Sequence, residues 1–497
     1  MNRTASAAAV LAVIFLWLAP PAARADEVSD LLAKHKAFMG WQFNDAQTRD
    51  WQMTDTYADE SGDARFVKVI KRIGALYRAD THSVKAHTNS SSGFTGNRFW
   101  YSDENGFTVP VFGGPAKVAL AEDFFFTDAV AQLPWTNLHP VRKWKSVFSV
   151  VHVVQASGAA APVDLYLDPA TGAYAGIVID PDGDNEETIR VVDYQVLGGR
   201  HFFSHWKYDD TATVHAISEI KLAQTLVADD LHPPAQTAFW QFQNPQPFPI
   251  RLTSKRAIVK AKVNGVEGTF MLDSGATNIF LSGAFARRAG LKALGHAQAT
   301  TLYGNEKQDT GKADTIEIGG NTLHEVMLYF GSPETDVTAP DGNLGFDLFA
   351  GAIVTLDFEN SSLQIQDPAT VDVAAIPGVR ASVDLNAGTP VTTMYVQGKA
   401  TTVNATLDTG APEMMWISFD LVTKHGLHLT VPARNGFACG FLDDMSIGPI
   451  VYVKPNACMA GMSSTRDVLL GYDFLKGLSK LYFDYRDATL ILMPRAR

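Results

Sequence analysis

Short apolar runs separated by turn-forming clusters dominate the first half of the chain. After one helical stretch, Val28 to Met39, many runs place apolar residues at alternate positions, the period typical of half-buried β-strands. These runs lie at Phe66 to Ile70, Arg98 to Tyr101, Val147 to Val154, Val163 to Leu167 and Ile189 to Val196. Residues 26–240 are therefore predicted to form a curved antiparallel β-sheet domain with a few helices.

A proline-rich stretch follows this predicted sheet. Pro245, Pro247 and Pro249 occupy alternate positions, and proline both fixes φ and lacks a backbone donor. Residues 241–249 are therefore predicted to be an extended connector between two parts of the chain.

The chain repeats itself from residue 250 onward. Asp273 opens an Asp-Ser-Gly-Ala turn after one apolar run, and Asp408 opens an Asp-Thr-Gly-Ala turn after another. A short apolar run and a predicted helix ending in Gly-Leu follow each turn. A repeat of this kind marks a duplicated structural unit.

A second landmark recurs in both copies. Gly345 lies in a Leu-Gly-Phe-Asp segment and Gly471 lies in a Leu-Gly-Tyr-Asp segment, each followed by two strand patterns. The second half therefore predicts two β-rich lobes, at residues 250–370 and 371–497. The predicted fold class is mainly β.

The two aspartate turns carry the candidate chemistry. One such turn is ordinary, because Asp and Gly both favour turns, but two at matched positions of a repeat indicate a shared site. Two carboxylates held close cannot both ionise cheaply, so Asp273 and Asp408 are predicted to share one proton and to supply a general acid and a general base.

The residues after each aspartate suit a supporting role. Gly275 and Gly410 allow the backbone to turn tightly. The hydroxyls of Ser274 and Thr409 are predicted to hydrogen-bond across the two turns and to hold the carboxyl groups in place.

Charge and the N-terminus bear on partners and location. The chain has 53 acidic against 41 basic residues and a formal charge of −12, which argues against a nucleic-acid partner. Arg3, an apolar run and small residues before Asp26 predict a secretory signal over residues 1–25, cut after Ala25. The mature chain is expected in the periplasm or outside the cell, without an integral membrane span.

Cys439 and Cys458 are the only cysteines. An oxidising compartment would let them form a disulfide, and two buried thiols are the alternative. Two cysteines without clustered histidines make a poor zinc site, so we predict no metal and no other cofactor.

The paired turns and the Leu-Gly-Phe/Tyr-Asp landmarks resemble the retropepsin-like and pepsin-like aspartic proteases. The resemblance implies two β-barrel lobes that form a bilobal acid protease, with Gly345 and Gly471 packed near the catalytic turns. It also implies a flap over the cleft, for which Tyr303 and Gly304 are candidates, although a surface hairpin with a solvent-facing Tyr303 fits equally. Cys439 lies in the matching region of the second lobe, so whether one flap or two cover the cleft stays open.

Residues 26–240 are similar in pattern to the periplasmic lipoprotein-carrier fold, and this resemblance implies a hydrophobic groove for lipid or lipidated peptide. A β-domain that positions or shields the peptidase fits equally. The stretches that carry this similarity are Gly96 to Asp103, Val163 to Gly172 and Asp193 to Gly199. Two functions follow as hypotheses. The first is an aspartic endopeptidase that cleaves polypeptides with Asp273 and Asp408, and the alternative is a non-catalytic periplasmic carrier of lipid or peptide.

Overall fold

The computed structural model describes residues 21–495 with internal gaps. The gaps lie at residues 43–44, 47, 59–61, 63–64, 132–134, 145–146, 156–157, 182, 184–185, 302–303, 332–339, 386–387, 397–400, 428–438 and 461–467. In the described part of the chain no helix is both long and apolar enough to cross a membrane.

The described elements are mainly strands. The helices are α1 (Pro21–Met39), α2 (Gly113–Phe126), α3 (Gly283–Arg288), α4 (Phe346–Ala350), α5 (Phe419–His425) and α6 (Tyr472–Leu475), with 3-10 turns at Ala129–Ala131, Ala228–Leu231 and Val373–Ala375. The first strands are β1 (Asp50–Ala58), β2 (Arg65–Ile73), β3 (Leu76–Ser83), β4 (Thr88–Phe94), β5 (Phe99–Ser102), β6 (Thr108–Val111), β7 (Trp135–Trp144), β8 (Phe148–Gln155), β9 (Val163–Leu167), β10 (Tyr174–Ile179), β11 (Glu187–Leu197), β12 (Arg200–Tyr208) and β13 (His215–Lys221).

The strands of the C-terminal half come next in the chain. They are β14 (Phe239–Gln241), β15 (Phe248–Pro249), β16 (Arg251–Leu252), β17 (Ala257–Val263), β18 (Val266–Leu272), β19 (Phe280–Ser282), β20 (Gly295–Thr301), β21 (Gly304–Ile318), β22 (Asn321–Gly331), β23 (Gly342–Leu344), β24 (Ile353–Asp357), β25 (Ser362–Gln366), β26 (Val379–Ser382), β27 (Val391–Val396), β28 (Thr401–Leu407), β29 (Met415–Ser418), β30 (Cys439–Phe441), β31 (Asp444–Ile447), β32 (Ile450–Val453), β33 (Asn456–Ala460), β34 (Val468–Leu470), β35 (Leu478–Asp484) and β36 (Thr489–Pro494).

Contacts between residues divide the chain into two units. The first unit comprises Met1–Glu60 and Ala116–Leu226, and the second comprises Ser61–Pro115 and Val227–Arg497. The contacts thus group residues 61–115 with the second unit, whereas the sequence pattern grouped them with the N-terminal sheet. Side chains and backbone of this segment hydrogen-bond to strands and helices of the C-terminal half, which explains the difference.

The first unit is an antiparallel sheet with a helix against it. Its strands follow the order β1-β13-β12-β11-β10-β9-β8-β7. His35 on α1 is buried and hydrogen-bonds to Asp128 at 2.7 Å and to the Gly172 carbonyl at 2.7 Å. Aromatic side chains pack in the interior, where a small cavity of about 10 Å³ is lined by residues that include Met39, Trp41, Trp51, Phe202 and Phe203.

The second unit begins with an antiparallel meander, β2 to β6. Two sheets of similar topology follow, and we call residues 250–370 lobe 1 and residues 371–497 lobe 2. In lobe 1 the strand order is β14-β22-β19-β23-β18-β17-β21-β20, and in lobe 2 it is β30-β33-β29-β34-β28-β27-β31-β32. The predicted fold class, mainly β with antiparallel sheets, is confirmed.

A third sheet joins strands of both lobes. Its order is β15-β25-β24-β35-β36-β26, and β24 of lobe 1 pairs antiparallel with β35 of lobe 2. β15 belongs to the proline-rich connector, and β14 overlaps its start, so this extended segment is hydrogen-bonded to lobe 1 at both ends. The central β24–β35 pair relates the two lobes and brings their matching turns toward each other.

Candidate active site

Each aspartate turn sits at the end of a strand that is paired on both sides. β18 leads into Asp273 and pairs in parallel with β23, and β28 leads into Asp408 and pairs in parallel with β34. The backbone N–H of Asp273 donates to Leu344 O at 3.0 Å, and that of Asp408 donates to Leu470 O at 2.8 Å. Both aspartates are 8% exposed. The same local pairing therefore fixes both carboxyl groups in a largely buried site.

Four reciprocal hydrogen bonds join the two turns. Ser274 N donates to Thr409 Oγ1 at 2.9 Å, and Thr409 N donates to Ser274 Oγ at 3.1 Å. Ser274 Oγ donates to Leu407 O at 2.8 Å, and Thr409 Oγ1 donates to Leu272 O at 2.8 Å. Each hydroxyl thus accepts and donates across the site, and both side chains are fully buried. One chain supplies both halves of this arrangement.

The glycines after the hydroxyl residues leave room for the opposite carboxyl group. A Cβ on Gly275 would overlap the Asp408 carboxyl, and a Cβ on Gly410 would overlap the Asp273 carboxyl. Because any larger residue would push these groups apart, glycine is required here by the contact between the turns as well as by the turn itself.

Asp273 and Asp408 interact electrically as well as sterically. Burial raises the pKa of Asp273 well above its ordinary value, and the charge of Asp408 and the hydrogen bond shared with that carboxyl raise it further. Backbone N–H groups stabilise each carboxylate in turn: Gly275 N donates to Asp273 Oδ1 at 3.1 Å, and Gly410 N donates to Asp408 Oδ1 at 2.7 Å. This environment suits a pair that holds one proton between two carboxyl groups.

Two residues near the pair were not identified from the sequence. Asn343 Nδ2 donates to Asp273 Oδ2 at 2.9 Å. The hydroxyl of Tyr485 is buried without a hydrogen-bond partner among the described residues. Burial raises the pKa of this tyrosine well above its ordinary value, and the charges of Asp408 and Asp273 raise it further. The matching residues of the other copy are Phe358 for Tyr485 and Leu469 for Asn343, so comparison of the two copies marks both residues as differences between the lobes.

The landmark glycines lie against the turns. A Cβ on Gly345 would collide with the Asn278 carbonyl and lie 2.7 Å from Ala276 O, and a Cβ on Gly471 would collide with the Glu413 carbonyl and lie 2.7 Å from Ala411 O. Glycine therefore lets the start of α4 and of α6 approach the segment that follows each aspartate turn.

The predicted flap lies partly outside the described residues. β20 and β21 form a hairpin that pairs as far as Thr301 with Gly304, and Tyr303 falls outside the described part. In lobe 2, residues 428–438 are likewise outside it. Cys439 and Cys458 face each other on β30 and β33 and form a disulfide.

The described residues hold no group of three or more His, Cys, Asp or Glu side chains suited to a metal ion.

Comparison with known proteins adds a family to this geometry. Residues 259–348 match the model of a family described as aspartyl protease. No curated protein sequence matches the chain. A retropepsin-like aspartic protease from Rickettsia conorii is 20% identical and covers 23% of this chain and 90% of its own, with a TM-score of 0.19.

Two further solved structures match other stretches. A LolA superfamily protein from Nitrosomonas europaea is 11% identical, covers 41% of this chain and 96% of its own and has a TM-score of 0.29. A chain of the MucA/MucB complex of Pseudomonas aeruginosa is 13% identical, with coverages of 61% and 93% and a TM-score of 0.17. The resemblance to aspartic proteases is confirmed by the family match on residues 259–348, which include Asp273 and Gly345.

Proposed function

We propose that this protein is an aspartic endopeptidase in which Asp273 and Asp408 form one catalytic pair. The observation that carries the proposal is the reciprocal contact of the two turns, in which each carboxyl group lies over the glycine of the opposite turn. A pair of structural turns has no need for two buried carboxyl groups whose interaction raises a pKa.

The proposed reaction uses one proton shared by the pair. The ionised carboxylate removes a proton from a water molecule, whose oxygen attacks the carbonyl carbon of the scissile peptide bond. The protonated carboxyl donates its proton to the carbonyl oxygen, which gives a tetrahedral diol. The carboxyl group that took the proton from water then gives it to the amide nitrogen, while a hydroxyl of the diol returns its proton to the other carboxylate. The carbon–nitrogen bond breaks, an acid and an amine are released, and the pair again holds one proton. The pair acts as one unit, so neither aspartate has a fixed role.

The alternative function, a carrier of lipid or peptide, predicts co-purifying lipid and no proteolysis from acidic to neutral pH. We also propose that residues 1–25 direct export, so that the enzyme works in the periplasm or outside the cell on polypeptide substrates.

Single replacements test the catalytic pair. Asp273→Asn and Asp408→Asn each remove the shared proton's second site, so each should lower the rate of casein cleavage by at least about 10³-fold, the scale typical for loss of an essential catalytic group. Initial rates should be measured from pH 3 to pH 8, with circular dichroism to verify folding. Wild-type rates in both variants would refute the proposal.

A further inference from the structure

The loop between β5 and β6 is built into lobe 1. Asn105 is fully buried, and its side-chain amide is used on both sides. Nδ2 donates to Asp347 Oδ1 at 2.6 Å and to Met327 O at 3.0 Å, while Oδ1 accepts from Met327 N at 2.7 Å. A side chain from the segment before lobe 1 thus completes hydrogen bonds in two parts of that lobe.

Asp347 links Asn105 to the catalytic turn. It is fully buried, and its second oxygen, Oδ2, accepts from Ile279 N at 2.7 Å. The neighbouring Phe346 N donates to Ala276 O at 3.0 Å. Residues 276–279, which lead directly out of the catalytic turn, are therefore held at both ends by the start of α4. Asn105 and Asp103, which both hydrogen-bond to Asp347, in turn fix the orientation of its carboxyl group.

Glu104 makes a second connection to the same segment. Asn278 Nδ2 donates to Glu104 Oε1 at 2.7 Å, and Glu104 also hydrogen-bonds to Tyr329. The side chain of Asn278 is half-buried, so this bond restrains a residue that otherwise faces solvent on one side. Two consecutive residues of one loop therefore contact the exit of the catalytic turn by independent routes.

The turn between β3 and β4 makes a further contact at the predicted flap hairpin. Thr310 Oγ1 on β21 donates to Ala86 O at 2.7 Å, and His296 N on β20 donates to Lys85 O at 2.9 Å. Gly295 leaves no space for a Cβ against this turn. The meander β2 to β6 thus contacts lobe 1 both beside the catalytic turn and at the base of the hairpin.

We propose that Glu104 and Asn105 are positioning residues for the catalytic turn of lobe 1. The inference rests on the proposed peptidase function. The two side chains hold residues 276–279 through Asn278 and Asp347, and so they fix the approach of Asp273 to Asp408. Lobe 2 has no such support in its described residues: Asp473, which matches Asp347, is 41% exposed and pairs with Lys476 at 2.5 Å.

Kinetics of the full chain tests this role. Asn105→Ala and Glu104→Ala should each lower kcat for casein at least about tenfold and leave KM within about twofold, because they shift the carboxyl geometry and contact no substrate. Glu104→Gln keeps an acceptor for Asn278 and should restore kcat to within about threefold of the wild type. Lys476→Ala changes the matching contact of lobe 2, and this control should have wild-type kinetics.

Amide hydrogen exchange separates this inference from the proposed function. In Asn105→Ala, exchange should rise in residues 276–281 and stay unchanged in residues 411–416 of lobe 2. A wild type that cleaves no substrate would refute the peptidase proposal, and the exchange result would still test the contact. Wild-type kcat together with wild-type exchange at residues 276–281 in Asn105→Ala would overturn the inference. If that variant fails to fold, Glu104→Ala and Glu104→Gln decide, and equal kcat in these two variants would overturn it.

Discussion

Lobe 1 and lobe 2 have closely similar aspartate turns and differ in the landmark aspartates that lie behind these turns. Ser274 and Thr409 exchange the same hydrogen bonds, with lengths that agree within 0.2 Å between the lobes. The landmark aspartates behind the turns do not agree. Asp347 is buried and held by Asn105, whereas Asp473 lies at the surface beside Lys476.

The aspartate turns are alike because the paired site requires the same contact from both lobes. The residues behind the turns are not part of that contact and can differ between the lobes. Each turn is the binding partner of the other, so a change in one must be matched by the other. The landmark aspartates are not part of this contact. Among the described residues, only Asp347 of lobe 1 is held by a separate segment, the loop at residues 103–107.

Glycine replacements should give the largest effect and test the symmetry of the turns. Gly275→Ala and Gly410→Ala each drive a methyl group into the opposite carboxyl. We expect each to lower kcat/KM for casein by at least about 10²-fold, since displacement of reacting groups by about 1 Å has that consequence. Gly283→Ala is the control: its Cβ makes a tight contact with Gly331 O at 3.3 Å, but no atom of either aspartate turn is among its nearest neighbours. Full activity in one turn variant only would show that the turns are not equivalent.

Replacement of the landmark aspartates should give a smaller effect with a clear difference between the lobes. In Asp347→Asn, the new amide NH₂ replaces one carboxyl oxygen, so it faces either Asn105 Nδ2 or Ile279 N, both of which are donors. We expect this lost hydrogen bond to lower the free energy of unfolding by about 1–3 kcal/mol. Asp473→Asn removes only a surface ion pair, which is worth about 0–1 kcal/mol. Urea titrations of both variants provide the comparison. Equal losses would contradict the distinction between a buried and an exposed support.

The smallest effect is a pH dependence of stability that arises from Glu104, in the loop that contacts lobe 1. Burial, with the charge of Asp347, raises the pKa of Glu104 from 4.5 to about 7. The folded chain therefore keeps a proton that the unfolded chain releases. The stability from this group is fully present below about pH 4.5 and is lost as pH rises toward 7.

Glu104→Gln removes this titration and keeps the contact. Its free energy of unfolding relative to the wild type should therefore be higher at pH 8 than at pH 5, as measured by urea titration at both values. Glu267→Gln, which removes an exposed pair with Lys260, is the control. A pH-independent difference for Glu104→Gln would exclude Glu104 as a group that titrates in this range.

Local motifs and the repeat were enough to identify the two carboxyl groups of the candidate site. Asp273 and Asp408 can be identified from the sequence because each lies in a short turn motif. Each motif alone is weak evidence, and its occurrence at matching positions of a repeat makes the pair strong evidence. The β character of the chain is readable for a similar reason, since alternation of apolar residues is local. The hydroxyl contacts of Ser274 and Thr409 followed from residue type, although their partners Leu407 and Leu272 did not.

Only the tertiary structure revealed the role of residues 103–107. Asp103 to Gly106 has the composition of a hairpin turn, and Asn105 reaches a partner 242 residues away. A pattern of local residues holds no information about such a distant contact, and the same limit applies to the buried hydroxyl of Tyr485. The sequence by itself was sufficient to predict the paired carboxyl groups and the duplicated β lobes, because short motifs that occur twice along the chain encode both. The support of lobe 1 by an earlier part of the chain was decided by packing, which depends on the whole fold.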